Sequence, residues 1–243
     1  MAHILVTGSA DGLGRLTAEA LLNQRHRVTV HVRHAGRLDA VQDLLDRGAE
    51  VVVGDLADAE QIRSVARQAG ELGPYDAVIH NAGVYRGPEV MAVNVVAPYL
   101  LTALIDPPAR LVYLTSGVQD GARAELGRRD WIGDAGRGAY ADSKLFVTAL
   151  AFAMARRWPE VFSNAVNPGW VPTRMGGPHA TDDLRLGHLT QEWLATSEDA
   201  EALTSGGYWF HQERHPAPRT ASDPEFQDRL LAELARLTGE TLP

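Results

Sequence analysis

Tyr140 and Lys144 are the two residues of this chain whose types and spacing do most for chemistry. Four apart on a helix, they share one face, with Cβ atoms about 5–6 Å apart. An ammonium that close favours phenolate over phenol. It brings a tyrosine with an ordinary pKa of about 10 toward use as a proton donor or acceptor. Many amphipathic helices carry such a pair by chance. It becomes a reactive pair only if the rest of the chain supplies a cofactor and a binding place beside it.

The first third of the chain supplies the binding place. Residues 3–7 form a short apolar run, followed by Gly8-Ser9-Ala10-Asp11-Gly12-Leu13-Gly14 and a helical pattern through Leu16, Ala20, Leu21 and Leu22. In a strand–turn–helix setting, such glycines make a tight turn, admit a pyrophosphate against the backbone and pack helix on strand. The helix N-terminus then offers amide N–H groups to an anion. Residues 27–33 read as the second strand. Its end, about 20 residues past the glycines, is where an acidic side chain would hold the 2′-hydroxyl of NAD. Arg33 stands there instead, followed by His34 and Arg37. Arginine grips a phosphate bidentately, so the expectation is NADP(H) rather than NAD(H). The plain alternative is a solvated charge at a strand end.

The remaining elements alternate in the same way. A helix is expected over 41–47 and a buried strand over 50–54, with Asp55 and Leu56 at its carboxyl end, where ligands gather in open α/β sheets. Asp58 caps a helix running to about Gly70. Residues 75–80 read as a strand leading into Asn81-Ala82-Gly83, a small turn that lets backbone approach a ligand. An apolar helix over 88–105 carries Asn94 and a kinking Pro98. A strand over 109–115 ends at Ser116, and a polar stretch over 118–137 leads to the helix of Tyr140 and Lys144. A strand over 161–166 ends in Asn167-Pro168-Gly169-Trp170-Val171-Pro172-Thr173, followed by a substrate-loop region at about 174–195. A seventh strand over 207–211 and a last helix capped at Asp223-Pro224 complete the chain. Strand–helix alternation predicts an α/β fold: a Rossmann-type, doubly wound, mainly parallel seven-stranded sheet with helices on both faces, in one domain over 1–243.

Composition narrows the partners. The chain has 243 residues, 45% hydrophobic and 22% charged, enough for one sizeable core. A net charge of −8 argues against a nucleic-acid footprint. With no cysteine there is neither disulfide nor thiolate metal site, and no metal is expected. His211 and His215, in a polar Arg/Glu/Pro stretch, read as solvated. No leader pattern follows Met1, and the longest apolar run, 145–155, falls short of the ~20 residues that cross a bilayer. The expectation is a soluble, cytoplasmic protein without membrane insertion.

Taken together and in order, these motifs resemble the short-chain dehydrogenase/reductases in their single-domain form. Thr7-Gly8-x-x-x-Gly12-x-Gly14 matches the family's nucleotide motif and Asn81-Ala82-Gly83 its sheet-stabilising one. Asn94, Ser116, Tyr140 and Lys144 match its catalytic tetrad, and Asn167-Pro168-Gly169 the segment beside the nicotinamide. The Arg33 strand end and the long gap from Ser116 to Tyr140 resemble the retinol-dehydrogenase-like and WW-domain-oxidoreductase-like branch. The spacing from Asn81 to Asn94 is shorter than the family's, which implies lost first turns of that helix and a pocket opened on that side.

The resemblance implies hydride transfer between NADP(H) and a carbonyl or alcohol, expected to be a small to medium apolar ketone, aldehyde or secondary alcohol. Tyr140 would be the general acid/base and Ser116 would polarise the substrate oxygen. Lys144 would lower the tyrosine pKa and bind the nicotinamide ribose, and Asn94 would hold a proton-relaying water. Val171 and Thr173 would address the carboxamide. Two other readings stay open: a non-catalytic NADP(H)-sensing or scaffold protein, and a sugar-nucleotide epimerase or dehydratase relative. The helix over 140–158 is apolar nearly all round, which calls for cover on both sides. One side is assigned to the sheet. The other is assigned to a second subunit, in a homodimer or homotetramer through two central helices.

Overall fold

The computed structural model describes residues 1–126, 131 and 139–243. The polar stretch expected over 118–137 falls partly outside them. The nucleotide half is built from β1 (His3–Val6), α1 (Gly12–Asn23), β2 (Arg27–Val32), α2 (Gln42–Asp46), β3 (Glu50–Val53), α3 (Ala59–Leu72) and β4 (Ala77–His80). After it come α4 (Ala97–Leu104), β5 (Arg110–Leu114), α5 (Ala139–Arg157) and β6 (Phe162–Asn167). The chain closes with α6 (Leu184–Thr196), β7 (Tyr208–Phe210), β8 (Glu213–His215), α7 (Arg219–Ser222) and α8 (Pro224–Thr238).

The sheet runs β3-β2-β1-β4-β5-β6-β7-β8. Its first seven strands pair in parallel and β8 returns antiparallel to β7. Buried valines, isoleucines and leucines on both strand faces pack under helices in two core clusters, as a parallel sheet covered on both sides requires. Strand order reverses between β1 and β4, so a crevice opens outside their carboxyl ends.

Three expectations change. The sheet has eight strands, not seven. The extra one is joined to β7 by a turn in which His211 (φ 50°) and Gln212 (φ 65°) both take left-handed backbone. That is the two-residue hairpin geometry usually marked by Asn-Gly or Asp-Gly, and here no such residue marks it. His211 is accordingly not solvated: its ring stacks on Phe210 at 3.8 Å and its Nε2 is buried. His215 is exposed, as expected.

The helix carrying Asn94 is not a plain α-helix bent at Pro98. Ala92–Val96 form a π-helical turn that runs into α4, with Pro98 in the first turn of α4. Proline has no N–H for the carbonyl four residues back, which is that of Asn94. Widened turns of this kind appear where the α-helical ladder is interrupted.

The third change concerns α5. Its second face is already covered within the chain, by α7 and α8. Phe146 of α5 lies 5.8 Å, ring to ring, from Phe226 of α8, and Arg156 Nε donates to Gln227 at 3.1 Å. The C-terminal tail extends this cover: Tyr99 donates to the Glu240 carbonyl at 2.8 Å and Trp158 Nε1 to the Pro243 carbonyl at 3.1 Å. The apolar face that called for a second subunit therefore has an intramolecular partner. Phe226 is 1% exposed, so Phe226→Ala should cost about 3–5 kcal/mol of stability. Equilibrium urea unfolding checks this, and a loss well under 1 kcal/mol would show that α8 is not integral cover.

Candidate active site

The glycine turn is held by contacts that leave no room for side chains. Gly8 has φ +68°, and a Cβ there would sit 2.9 Å from Ala82 Cα. At Gly14 it would sit 2.3 Å from Asn81 Nδ2 and 2.4 Å from the Gly8 carbonyl. Asn81 ties the turn to the end of β4: its Nδ2 donates to the Thr7 carbonyl at 2.8 Å, and the backbone N–H groups of Asn81 and Ala82 both donate to Thr7 Oγ1 at 3.0 Å. Ser9 turns inward, its hydroxyl bonding the Val6 carbonyl and accepting from His31 N–H. His31, two residues before Arg33 on β2, bridges the whole edge. Its Nδ1 accepts from Gly8 N–H at 3.0 Å and its Nε2 donates to the Gly54 carbonyl at 2.8 Å. Burial lowers its pKa, so both bonds belong to the neutral ring.

A cleft of about 640 Å³ follows from this turn across the sheet. It is lined by Gly8, Asp11, Gly12, Leu13, Gly14, Arg33, Asp55, Leu56, Asn81, Ala82, Gly83, Tyr140, Lys144, Pro168 and Thr173, all expected from the sequence. Five expected residues do not line it. Ser9 braces the turn, Asn94 is buried behind the wall, Ser116 hydrogen-bonds Tyr140 beside the cleft, Gly169 packs on Asp182, and Val171 packs against Gly187. His31, Val84, Tyr85, Thr115 and Arg174 line it without having been expected. His31 was findable, because strand periodicity puts it on the same face as Arg33. Tyr85 sits in the shortened segment, where spacing gave no guide.

At one end of the cleft Arg33 lies 3.7 Å from Asp55 and Arg37 3.2 Å from Asp11, with His34 beside them. At the other end, α5 is stitched to the end of β5. Thr115 Oγ1 and Thr148 Oγ1 each donate to the Lys144 carbonyl at 2.8 Å, and Lys144 Nζ donates to the Leu114 carbonyl at 2.9 Å. Lys144 lies 5.5 Å from the centre of the Tyr140 ring. A Ser116 hydrogen bond pulls the tyrosine pKa down, but burial outweighs it and pushes it up to about 12. Burial likewise lowers Lys144 to about 8. The expected depression of the tyrosine pKa by Lys144 is thus not what governs the cleft by itself: desolvation does.

Asn94 uses every polar atom of its side chain as a clasp. Oδ1 accepts from Val84 N–H at 2.8 Å, while Nδ2 donates to the Val84 carbonyl at 3.0 Å and to Ser143 Oγ at 2.9 Å. This holds the shortened 84–91 segment against α5. A Cβ on Gly83 would lie 3.4 Å from Asn94 Oδ1 and 3.5 Å from Lys144 Nζ, in van der Waals contact with both.

Comparison with known proteins now decides the family. The chain is 34% identical to the short-chain dehydrogenase chyC of Penicillium rubens over the full length of both chains. It belongs to the short-chain dehydrogenases. The short chain dehydrogenase family model matches residues 2–108, and human retinol dehydrogenase 13 is 27% identical over 99% of this chain and 85% of its own. Among solved structures, an uncharacterised protein from Mycobacterium paratuberculosis superposes with a TM-score of 0.79 at 23% identity, covering 100% of this chain and 95% of that one. A short-chain dehydrogenase from Shigella flexneri, complexed with NADP, gives 0.67 at 25% identity, covering 87% and 97%. This short-chain dehydrogenase is therefore an oxidoreductase of the CH–OH/C=O class. Among the described residues no helix is long and apolar enough to cross a membrane, and no cluster of three or more side chains could hold a metal.

The buried lysine makes a stability prediction. Between pH 8 and the ordinary lysine value of 10.5, the unfolded chain binds a proton that the folded chain does not, so the burial penalty is full below pH 8 and fades as pH rises. Lys144→Met should stabilise the ligand-free protein at pH 7 by on the order of 1–3 kcal/mol, after the lost bond to Leu114 is counted. The gain should shrink toward pH 10. Urea unfolding at both pH values checks this, and a destabilised variant at pH 7 would contradict it.

Proposed function

We propose that this short-chain dehydrogenase is an NADP(H)-dependent carbonyl reductase or alcohol dehydrogenase acting on an apolar ketone, aldehyde or secondary alcohol. The observation that carries the reading is the juxtaposition of Tyr140, Ser116 and Lys144 at one end of a glycine-walled cleft with Arg33, His34 and Arg37 at the other. The cleft suits a dinucleotide: it runs from the Gly8–Gly14 turn, whose close approach to Ala82 and Asn81 requires glycine, past Arg33 to Tyr140 and Lys144. The Shigella relative's NADP complex supports the same cofactor class. When bound, the nicotinamide supplies the hydride, two electrons and a proton nucleus, to the carbonyl carbon, and is itself oxidised.

The chain's own residues do the rest. Gly8, Asp11, Gly12, Leu13 and Gly14 bound the pyrophosphate, with the α1 N-terminus favouring its charge. Arg33 and Arg37 exchange Asp55 and Asp11 for the 2′-phosphate, which binds arginine more strongly than an exposed carboxylate does. Asp55, Leu56, Asn81, Ala82 and Gly83 wall the adenosine side and the sheet centre. Pro168, Gly169, Val171 and Thr173 wall the nicotinamide side. Lys144 meets the ribose hydroxyls. Tyr140 gives its proton to the carbonyl oxygen as negative charge develops there, and Ser116 donates a hydrogen bond to the same oxygen. A hydroxyl at pKa about 12 is fully protonated at neutral pH, which suits it as an acid in the reductive direction. With the Asn94 side chain fully engaged, a relay water would be held by its backbone carbonyl, to which Pro98 has no N–H to give.

The reading places the protein in the cytoplasm. A homodimer or homotetramer would have to form away from the α5 face that α7 and α8 occupy.

Two variants test the reading with a panel of ketones and aldehydes. Tyr140→Phe should lower kcat about 10²–10⁴-fold while leaving NADPH binding within a few-fold. Arg33→Asp should weaken NADPH about tenfold or more and leave NADH nearly unchanged, as expected for loss of one charged phosphate contact. NADPH binding without any turnover that depends on Tyr140 would favour a cofactor-sensing protein, and equal effects of Arg33→Asp on both cofactors would refute the 2′-phosphate assignment.

A further inference from the structure

Among the described residues, the large apolar side chains left exposed, apart from Met1, are Tyr85 (49%), Val118 (48%), Trp170 (53%) and Met175 (48%). They come from three separate segments, and each segment borders Tyr140 or Ser116. The Tyr85 ring meets the Tyr140 ring edge-on at 4.8 Å. Met175 Sδ lies 4.0 Å from the Tyr140 hydroxyl. Val118 gives its N–H to Ser116 Oγ. Trp170 leads, through Val171 and Pro172, to Thr173 on the cleft wall. Elsewhere among the described residues the large hydrophobics are buried or partly buried. Two of the exceptions touch Tyr140 and the other two lie in the segments that carry Ser116 and Thr173, a grouping at the site that marks a binding surface rather than scatter.

Two of the four are held flat walls. Trp170 Nε1 donates to the Gly176 carbonyl at 2.9 Å, and its backbone is tied to Asp182 through N–H to Oδ2 at 2.7 Å and C=O to the Asp182 N–H at 3.0 Å. Tyr85 stands between the Tyr140 ring and the Arg86 guanidinium, 5.3 Å from its ring centre. Rings already fixed in place lose little freedom when a flat ligand lies on them, and the Met175 thioether adds a favourable sulfur–aromatic contact. A long alkyl chain would gain neither and would lose its own rotamers.

We propose that Tyr85, Val118, Trp170 and Met175 dock a flat aromatic body of the substrate, with its carbonyl at Tyr140, and that Tyr85 selects aryl carbonyl compounds over saturated ones. The proposal rests on the reductase reading and sharpens its substrate class. In the reaction the aryl carbonyl gains the hydride at carbon and the Tyr140 proton at oxygen, giving the aryl carbinol and oxidised cofactor.

The test has a binding arm and a turnover arm. In the binding arm, 2-acetylnaphthalene is titrated into the NADP⁺ complex, where no turnover occurs, and read by tryptophan fluorescence. Tyr85→Ala should weaken binding about tenfold, near the upper range for one aromatic pair, while Tyr85→Phe stays within about threefold. In the turnover arm, kcat/KM with NADPH is compared for 2-acetylnaphthalene, its decahydro analogue and 2-dodecanone. The wild type should favour the aryl ketone, and Tyr85→Ala should remove most of that preference through KM. Equal loss on all three ketones, a wild-type preference for either saturated one, or no binding of the naphthyl ketone would overturn the proposal. If binding follows Tyr85 as expected but no ketone is reduced, the aromatic surface stands and the reductase reading fails.

Discussion

Much of this molecule is arranged around one unfavourable act, the burial of the Lys144 ammonium. Its Nζ is drawn under the sheet's carboxyl edge and given a single backbone acceptor, the Leu114 carbonyl. Among the described residues it has no carboxylate partner, and burial pushes its pKa down to about 8, so the charge is held at a cost that well-paired lysines do not carry. What keeps it there is the stitching of α5 to β5 through Thr115 and Thr148, and the buried packing of α5 between the sheet and α8. A site that strains its own fold is the usual mark of a group kept for chemistry.

The same burial acts on Tyr140 with the opposite sign. Desolvation disfavours the phenolate and keeps the hydroxyl protonated. Before ligands arrive, the cleft therefore holds a buried ammonium, charged at pH 7 at a cost, beside a neutral phenol. Negative charge brought by the cofactor phosphates, and charge developing on a substrate oxygen, would raise the lysine and engage the tyrosine proton. The resting state of the pair is set more by desolvation than by the charge of one group acting on the other. The helix-spacing argument alone, which takes the lysine as a fixed positive charge, misses this.

Motifs whose function is backbone geometry were legible in the sequence. Glycines at 8 and 14 are required by approaches of 2.9 Å and 2.3 Å that any Cβ would make, and the order of strands and helices follows from alternation. The tetrad residues were findable because their types are chemical. What stayed hidden depends on contacts between distant segments. The eighth strand turns on left-handed backbone at His211 and Gln212, residues that do not advertise it. The cover over α5 is made by a helix more than sixty positions further on. Tyr85 became visible as a cleft residue only once the segment after β4 was placed against Tyr140. Asn94 was expected to hold a relay water, but its side chain is a clasp on Val84 and Ser143, which spacing could not distinguish from a relay.

The central claim is that Tyr140 and Lys144 serve a hydride transfer. The most direct measurement is isotopic: NADPH deuterated at the transferring C4 position of the nicotinamide, mixed with enzyme and an apolar ketone, and the product alcohol analysed by mass spectrometry and NMR. The account predicts one deuterium on the carbinol carbon, none on oxygen, and one oxidised cofactor per alcohol formed. An alcohol without carbon-bound deuterium, or cofactor that stays reduced while bound to the protein with every carbonyl offered, would contradict it.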